Sequence, residues 1–119
     1  MALKKMFQRL TAPVSELDAE RLRDFCASLP DVTPIAELQP RENGTVVGEI
    51  SYVRIVPRAG SPSLEVTIND GTGSVVAMWT GRRKIAGVTP GRRLVVSGRG
   101  APSGPQGRLL LFNPRYELL

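Results

Sequence analysis

The sequence predicts a mainly β protein of one domain with a short helical segment at its N-terminus, and three observations indicate that fold class. Residues 64–79 alternate apolar and polar side chains up to a glycine-rich turn and continue as a valine-rich run, which is typical of a β-hairpin. The 12 glycines and 10 prolines fall in short clusters between apolar runs, which indicates many turns. Helical apolar periods are confined to the residues before Pro30.

The first 13 residues predict a short amphipathic helix that ends at Pro13. Its apolar stripe repeats at i, i+3, i+4 and i+7 and consists of Leu3, Met6, Phe7 and Leu10. Its other faces carry the cations Lys4, Lys5 and Arg9. A cationic amphipathic stretch can lie on a membrane surface, but this one is short, so we expect it to dock against the domain.

A second helix is expected between the N-cap Ser15 and Pro30, with acidic residues in its first turns where the helix dipole favours them. Its apolar stripe consists of Leu22, Phe25, Cys26 and Leu29. Because Cys26 lies on this stripe, we expect a buried structural thiol rather than a reactive one. Residues 30–43 contain three prolines and no sustained period, which indicates a linker across the surface. The expected organisation is therefore a helical segment at 1–29, a linker at 30–43 and a barrel at 44–119.

The barrel begins with a long strand whose apolar alternation changes phase in its middle. Such a change requires a β-bulge, which we place near Ser51 and Tyr52, and it lets one strand serve two sides of a closed sheet. Residues 56–62 are expected to form a loop, and strands two and three are expected to follow as the hairpin of residues 64–79. The turn of that hairpin is Asp-Gly-Thr-Gly at 70–73, in which the glycines tolerate positive φ.

Two further strands complete the predicted sheet. Leu94, Val96 and Gly98 alternate on a fourth strand, and residues 109–112 form a fifth that is apolar on both faces. The glycine- and proline-rich residues 100–107 between them predict a loop. Pro114 interrupts the ladder, after which the C-terminus is expected to tuck back against the barrel.

Five strands, a bulged first strand and a tight turn between the second and third make the pattern of the OB fold, a small Greek-key barrel. The sequence also resembles a group of small actinobacterial OB-fold nucleic-acid-binding proteins and, more distantly, the OB wedge domain of RecG-type helicases. The residues that carry the resemblance lie at 70–73, Trp79 with 81–83, 91–96 and 113–119. The resemblance implies a ligand groove over strands two and three, bordered by the loops between strands 1 and 2 and strands 4 and 5.

The net charge of +5 is concentrated on the β part of the chain. Residues 1–43 carry six basic and seven acidic side chains, whereas residues 44–119 carry ten basic and four acidic ones, and nine of those ten are arginine. Arginine matches phosphate oxygens and stacks on bases, so this asymmetry favours a polyanionic partner over a merely soluble basic surface.

Enzyme, cofactor and membrane functions find no support in the composition. There is no histidine, so the commonest general base and metal ligand is absent, and the lone cysteine excludes an intrachain disulfide and a multi-cysteine zinc site. No serine or cysteine has an activating partner, and no nucleotide-binding signature is present. No apolar run approaches the ~20 residues of a membrane span, and no signal peptide is evident. We expect a cytoplasmic protein that is not an enzyme and binds no cofactor, metal or small-molecule substrate.

Non-specific single-strand binding by OB domains combines a basic track with aromatic stacking platforms. The candidate nucleic-acid contacts are Tyr52, Arg54, Arg58, Thr67, Met78, Arg82, Arg83, Lys84, Arg93, Arg99 and Arg108. Arg58, Arg99 and Arg108 are expected to converge on the groove because they flank its two loops. The run 82–84 is expected near the closed end of the barrel, away from both loops, as a second phosphate contact or simply a solvated turn.

Aromatic side chains in the expected groove are few. Tyr52 points outward after the bulge and is the best candidate for base stacking, whereas Trp79 shares the inward phase of its strand and is expected in the core. Phe112 and Tyr116 are expected to pack against the closing segment. Met78 belongs to the outward phase of the third strand.

Two functions remain open from the sequence. The first is a protein that binds nucleic acid, single-stranded or branched DNA or RNA, with low sequence specificity through an arginine-lined groove. The second is an adaptor that docks onto another protein of DNA or RNA metabolism, through the barrel or the N-terminal helices. Surface aromatics in the groove would favour the first, and an exposed apolar stripe on the helices would favour the second.

Overall fold

A computed structural model of the chain describes residues 14–58, 60–103 and 108–119, so the predicted helix over residues 3–10 lies outside the described residues. One helix, α1 (Val14–Ala27), and a 3₁₀ turn (Ile35–Glu37) precede the strands. The strands are β1 (Asn43–Arg58), β2 (Ser61–Asn69), β3 (Ser74–Thr80), β4 (Arg93–Ser103), β5 (Arg108–Phe112) and β6 (Arg115–Leu118).

The sheet closes on itself. Its strand order is β1-β2-β3-β5-β4, and β4 also pairs with β1, which completes a ring of five strands. Every neighbouring pair in the ring is antiparallel except β3 and β5, which are parallel. The C-terminal residues, expected only to tuck back, form β6, which pairs with the first half of β4.

The predicted bulge in β1 is present. The pairing of β1 with β2 shifts register between Ile50 and Tyr52, at Ser51. Residues 43–49 pair with β4 and residues 49–58 pair with β2, so one strand serves two walls of the barrel. Because β1 continues to Arg58, the hairpin that it forms with β2 extends beyond the core, and Ile55 is 54% exposed although it points to the inner side.

The barrel interior is filled by the inward-pointing positions of the five strands. The buried strand residues of this core are Val46, Ile50, Leu64, Val66, Ile68, Val75, Ala77, Trp79, Leu94, Val96, Leu109 and Leu111. Trp79 is 6% exposed, and its indole Nε1–H donates a hydrogen bond to the Pro114 carbonyl oxygen at 3.1 Å. The ring of Tyr116 stands edge-on to it with centroids 5.5 Å apart. The expected core position of Trp79 is confirmed.

The turn between β2 and β3 is joined to the residues that precede β1. Asp70 is 3% exposed and accepts hydrogen bonds from the backbone N–H groups of Thr72 and Gly73 within its own turn. Its other carboxylate oxygen accepts the N–H of Ile35 at 2.8 Å. Ile35 and Leu38 are thereby held in the core, whereas most other residues of the segment 30–43 are exposed.

The helix α1 covers the outer side of β1 and β4. Leu22 and Cys26 are buried against Val47, and Arg23 Nη2 donates to the Gly71 carbonyl oxygen at 3.1 Å. The expected burial of Cys26 is confirmed, and burial raises the pKa of its thiol, with a smaller contribution from the nearby Asp70 charge. Within the part of the chain that the structure describes, no helix is long and apolar enough to cross a membrane.

Candidate nucleic-acid interface

The outer side of β1, β2, β3 and β5 forms one continuous surface, which we call the outer face. Residues directly paired across strands point to the same side of a sheet, so the register defines its rows. One row is Tyr52, Thr67, Val76 and Leu110, and the next is Arg54, Glu65, Met78 and Phe112. The predicted candidates Tyr52, Arg54, Thr67 and Met78 therefore lie together, in two adjacent rows.

Two aromatic side chains of the outer face are open to solvent. Tyr52 is 56% exposed and Phe112 is 49% exposed. They lie three strand spacings and one row apart, which is roughly 16 Å along the sheet. Sequence reasoning assigned Phe112 to packing and missed it as a stacking candidate. The signal was present, because Leu109 and Leu111 point inward and an alternating strand must then turn Phe112 outward.

Met78 is a correction to the predicted contacts. Its strand phase places it on the outer face as expected, but its side chain is 1% exposed and forms a small apolar cluster with Val76 and Leu110. A side chain without accessible surface makes no contact with a ligand. Thr67, the neighbour of Val76 across the strands, is half-buried.

Arg54 is engaged within the outer face. Its guanidinium bonds Glu65 Oε1, with Nη2 at 2.9 Å and Nε at 3.0 Å. Arg54 keeps 54% of its side chain exposed, whereas Glu65 keeps 16%. A phosphate approaching here meets a guanidinium already shared with a carboxylate, so we expect Arg54 to contribute less than an unpaired arginine.

One end of the outer face is formed by the β1–β2 loop together with residues 82–84, which follow β3. All three basic residues of that run are exposed, and Arg83 lines a concavity with Ile55, Pro57 and Pro62 on the inner side of the extended hairpin. The expectation that this run lies away from both loops is wrong. Because β3 runs antiparallel to β2, its end lies beside the start of β2, where the Gly81 N–H donates to the Pro62 carbonyl oxygen at 2.8 Å. Arg58 ends β1 at this loop, and its side chain lies outside the described residues.

The opposite end of the outer face carries Arg108. Its side chain is exposed and lines a groove with Ile35, Gly73 and Ser74, at the start of β3. Because β3 and β5 are parallel, both begin at this end, about 20 Å along the strand from Thr80. The arginines of the two loops therefore border the outer face from opposite ends instead of converging on one point. Arg99 is exposed on β4, opposite Asn43, beyond β5.

Arg93 is a second correction. It points outward from β4 as expected, but its guanidinium lies 4.3 Å from the ring centroid of Phe25 on α1. Its Nε is also 3.4 Å from Glu49 Oε2. This cation–π contact and ion pair attach α1 to the wall formed by β1 and β4. Arg93 thus belongs to the helix attachment and not to the outer face.

Nothing in residues 17–57, 60–102 and 108–119 suggests a metal centre: no group of three or more histidine, cysteine, aspartate or glutamate side chains there could hold an ion. The chemical groups that the outer face offers are guanidinium and ammonium cations at its ends, two exposed aromatic rings, and one ion pair. Cations and rings together can bind phosphates and stack on bases.

Comparison with solved structures confirms the predicted fold. The chain matches RecG in a structure with a three-way DNA junction, with 20% identity and a TM-score of 0.61, over 74% of this chain and 12% of that chain. It matches an OBody bound to hen egg-white lysozyme with 16% identity and a TM-score of 0.59, over 77% and 97% of the two chains. It also matches the second OB-fold domain of replication protein A from Methanococcus maripaludis, with 21% identity and a TM-score of 0.53, over 73% and 93%.

These likenesses establish the OB fold and leave the sequence family open. The protein is mainly β, with a five-stranded ring and an N-terminal helix, and the distant resemblance to RecG holds at the level of the fold. No protein-family model matches the sequence, and no curated protein matches it. The chain spans about one eighth of the RecG chain that it matches.

Proposed function

We propose that this protein binds single-stranded or branched nucleic acid, DNA or RNA, with low sequence specificity, through the outer face and its two cationic ends. The observation that carries the proposal is the placement of exposed cations at both ends of a surface that presents two exposed aromatic rings. Two of the matched structures, RecG with a three-way DNA junction and a domain of replication protein A, support it by analogy of fold.

The two kinds of group have separate tasks in this proposal. Arg83 and Arg108 lie near opposite ends of β3, so we expect a strand that crosses the outer face to pass one guanidinium as it enters and another as it leaves, with Arg83 reached at the inner side of the hairpin. Tyr52 and Phe112 lie between those ends and offer ring faces on which any base can stack. Neither task reads base edges, which is why we expect low sequence specificity.

The phosphate contacts are tested by salt dependence. Replacing Arg58, Arg83 and Arg108 together by alanine should weaken binding of an oligo-dT strand and of mixed sequences equally. The slope of log affinity against log salt should become shallower by up to about 2, since each contact to a single strand contributes about 0.7. Arg115→Ala is the matched control, because Arg115 is an exposed arginine on β6, in a concavity with Thr45 and Ser97. For Arg115→Ala, the slope of log affinity against log salt should equal that of the wild type.

The stacking contacts are tested separately. Tyr52→Ala and Phe112→Ala should each cost about 1–3 kcal/mol of binding free energy at every salt concentration, with the slope unchanged, because stacking releases no counterions. Tyr116→Ala removes an aromatic ring that packs on Trp79 and is the control for loss of stability. A Tyr52 variant that changes only the salt slope would contradict a stacking role.

The competing hypothesis, a protein adaptor, predicts a different result. An adaptor would bind oligonucleotides feebly at low salt and without sensitivity to Tyr52. The apolar stripe of α1, which would serve an adaptor if exposed, is occupied by Val47 and Val95 of the barrel. If the wild-type protein shows no measurable affinity for single-stranded DNA, branched DNA or RNA at low salt, direct nucleic-acid binding is refuted.

A further inference from the structure

One ion pair lies on the outer face itself, between Arg54 of β1 and Glu65 of β2, which are directly paired across the two strands. Arg54 follows the exposed Tyr52 by two residues on the same side of β1, about 7 Å along the strand. We therefore expect a base that stacks on the Tyr52 ring to extend its edge over this ion pair.

The guanidinium of Arg54 keeps two donor nitrogens for a ligand. Its Nε and Nη2 both bond the same carboxylate oxygen, Glu65 Oε1, at 3.0 and 2.9 Å. A guanidinium has five N–H groups, so both N–H groups of Nη1 and the second N–H of Nη2 remain. Among the residues that the structure describes, no other side chain or backbone group bonds Arg54, and its side chain is exposed. The edge formed by Nη1 and Nη2 is therefore open to solvent.

The carboxylate of Glu65 keeps one acceptor, Oε2. No described residue donates a hydrogen bond to that oxygen. In the same part of the chain, every buried side-chain nitrogen or oxygen has a hydrogen-bond partner, so an oxygen that lacks one reaches the surface. The ion pair thus presents two adjacent N–H donors beside one negatively charged acceptor.

Guanine and cytosine are the bases that complement this arrangement. Guanine carries the acceptors N7 and O6 next to the N1–H donor, and cytosine carries the acceptors O2 and N3 next to its N4 amino group. Each can accept two hydrogen bonds from Arg54 and donate one to Glu65. Adenine and thymine place only one acceptor next to a donor, so one guanidinium N–H would stay unpaired. These edges are open in a single strand, where no complementary base occupies them.

We propose that Arg54 and Glu65 together select guanine or cytosine over adenine and thymine for the base that stacks on Tyr52. This inference rests on the proposed binding of nucleic acid to the outer face and adds a base preference at one position. Because the guanidinium is already shared with a carboxylate, the ion pair favours a base over a phosphate at this place. Phosphate and stacking contacts still hold the rest of the strand, so the overall specificity stays low.

The first test compares oligo-dC with oligo-dU of the same length at neutral pH. Uracil has the hydrogen-bonding edge of thymine without its methyl group, so the two strands differ in the edge alone. We expect the wild-type protein to bind oligo-dC about 5- to 10-fold more tightly, the low end of the discrimination given by a bidentate base contact. A repeat of guanine and thymine should likewise lose several-fold in affinity when 7-deazaguanine, which lacks the N7 acceptor, replaces guanine.

The second test changes the ion pair. In Glu65→Gln, the amide oxygen can stay with Arg54 while the outward group becomes an N–H donor, so the ratio of the two affinities should fall to about 1 and oligo-dU should bind more tightly. Glu49→Gln is the matched control, because it removes the same charge from the ion pair with Arg93 at α1 and should leave the ratio at the wild-type value. Arg54→Lys keeps the positive charge but has no two-pronged edge, and it should also lower the ratio.

The outcomes separate this inference from the proposed function. Equal and measurable affinities of the wild type for oligo-dC and oligo-dU would overturn the base preference and leave nucleic-acid binding intact. No affinity for either strand would refute the proposed function and this inference with it. A ratio that survives both Glu65→Gln and Arg54→Lys would also overturn the inference, and it would assign the ion pair to stability alone if urea unfolding, followed by Trp79 fluorescence, shows the variants to be less stable.

Discussion

At the residue scale, Gly71 shows how one turn position connects local conformation with packing. Its φ is +87°, a region that L side chains rarely adopt. An added Cβ would lie 2.9 Å from both the carbonyl oxygen of Ala19 and the Cβ of Arg23. Two separate constraints therefore require glycine at this position. One is the positive φ of the turn between β2 and β3, and the other is the close approach of α1.

We expect Gly71→Ala to destabilise the protein more than Gly81→Ala. Gly81 has a similar φ of +75°, but an added Cβ there meets nothing within 4 Å, so its variant measures the conformational cost alone. That cost is about 1–3 kcal/mol for a non-glycine residue at positive φ. Gly71→Ala adds the displacement of α1, and urea unfolding of the two variants measures the difference. Equal destabilisation would show that α1 does not constrain the turn.

The burial of Cys26 makes the free energy of unfolding depend on pH. Because burial raises the pKa of the folded thiol, the unfolded thiol ionises first as the pH increases. The contribution to stability is complete below the pKa of the unfolded thiol and is lost as the pH rises through the folded pKa. We expect the wild-type free energy of unfolding to fall in this alkaline range more steeply than that of Cys26→Ser. Parallel pH profiles of the two proteins would contradict this.

At the element scale, β3 is a strand whose two sides are both buried. Its burial pattern is continuous from Val75 to Trp79, with Ser74 and Thr80 exposed at its ends. On the inner side it contributes to the core, and on the outer side Val76 and Met78 form a small buried cluster with Leu110. At its end, Trp79 bonds the Pro114 carbonyl oxygen, and the Asn113 side chain accepts the Thr80 N–H at 2.9 Å. The strand is thus fixed along its length and at the segment that leads into β6.

The fluorescence of Trp79 should therefore change when the protein unfolds and stay nearly constant when a nucleic acid binds. We expect a large change of its fluorescence emission on denaturation and almost none when oligo-dT binds, because its ring lies inside the barrel. Tyr52→Trp in a Trp79→Phe background gives the matched comparison, with the indole on the exposed side. Strong quenching of native Trp79 by oligo-dT, with an unchanged far-ultraviolet spectrum, would contradict the assignment.

At the scale of the whole molecule, the pairing of strands in the closed ring determines where the basic side chains lie. The parallel pairing of β3 with β5 places Arg108 at the start of β3, and the antiparallel pairing of β2 with β3 places Arg83 at its end. The outer face between them has exposed rings at its sides and a buried apolar centre.

The sequence by itself determined the local features of this protein. The phase change in β1, the Asp-Gly turn after β2 and the inward phase of Trp79 were all predicted, and the structure confirms each of them. Alternation and turn chemistry depend on a few neighbouring residues, because backbone sterics and the pleat of a strand act over that distance. The fold class followed from the number and order of those features.

Only the tertiary structure decided which outward side chains are accessible and which cations lie together. Met78 and Phe112 share the outward side of the sheet, yet one is 1% and the other 49% exposed, because exposure depends on how the folded chain packs around each side chain. Arg83 lies at the β1–β2 loop and Arg93 under α1 because strand direction and helix placement put them there. The strand period determines the side of the sheet on which a residue lies, whereas proximity across the barrel follows from closure of the ring, which no local pattern encodes.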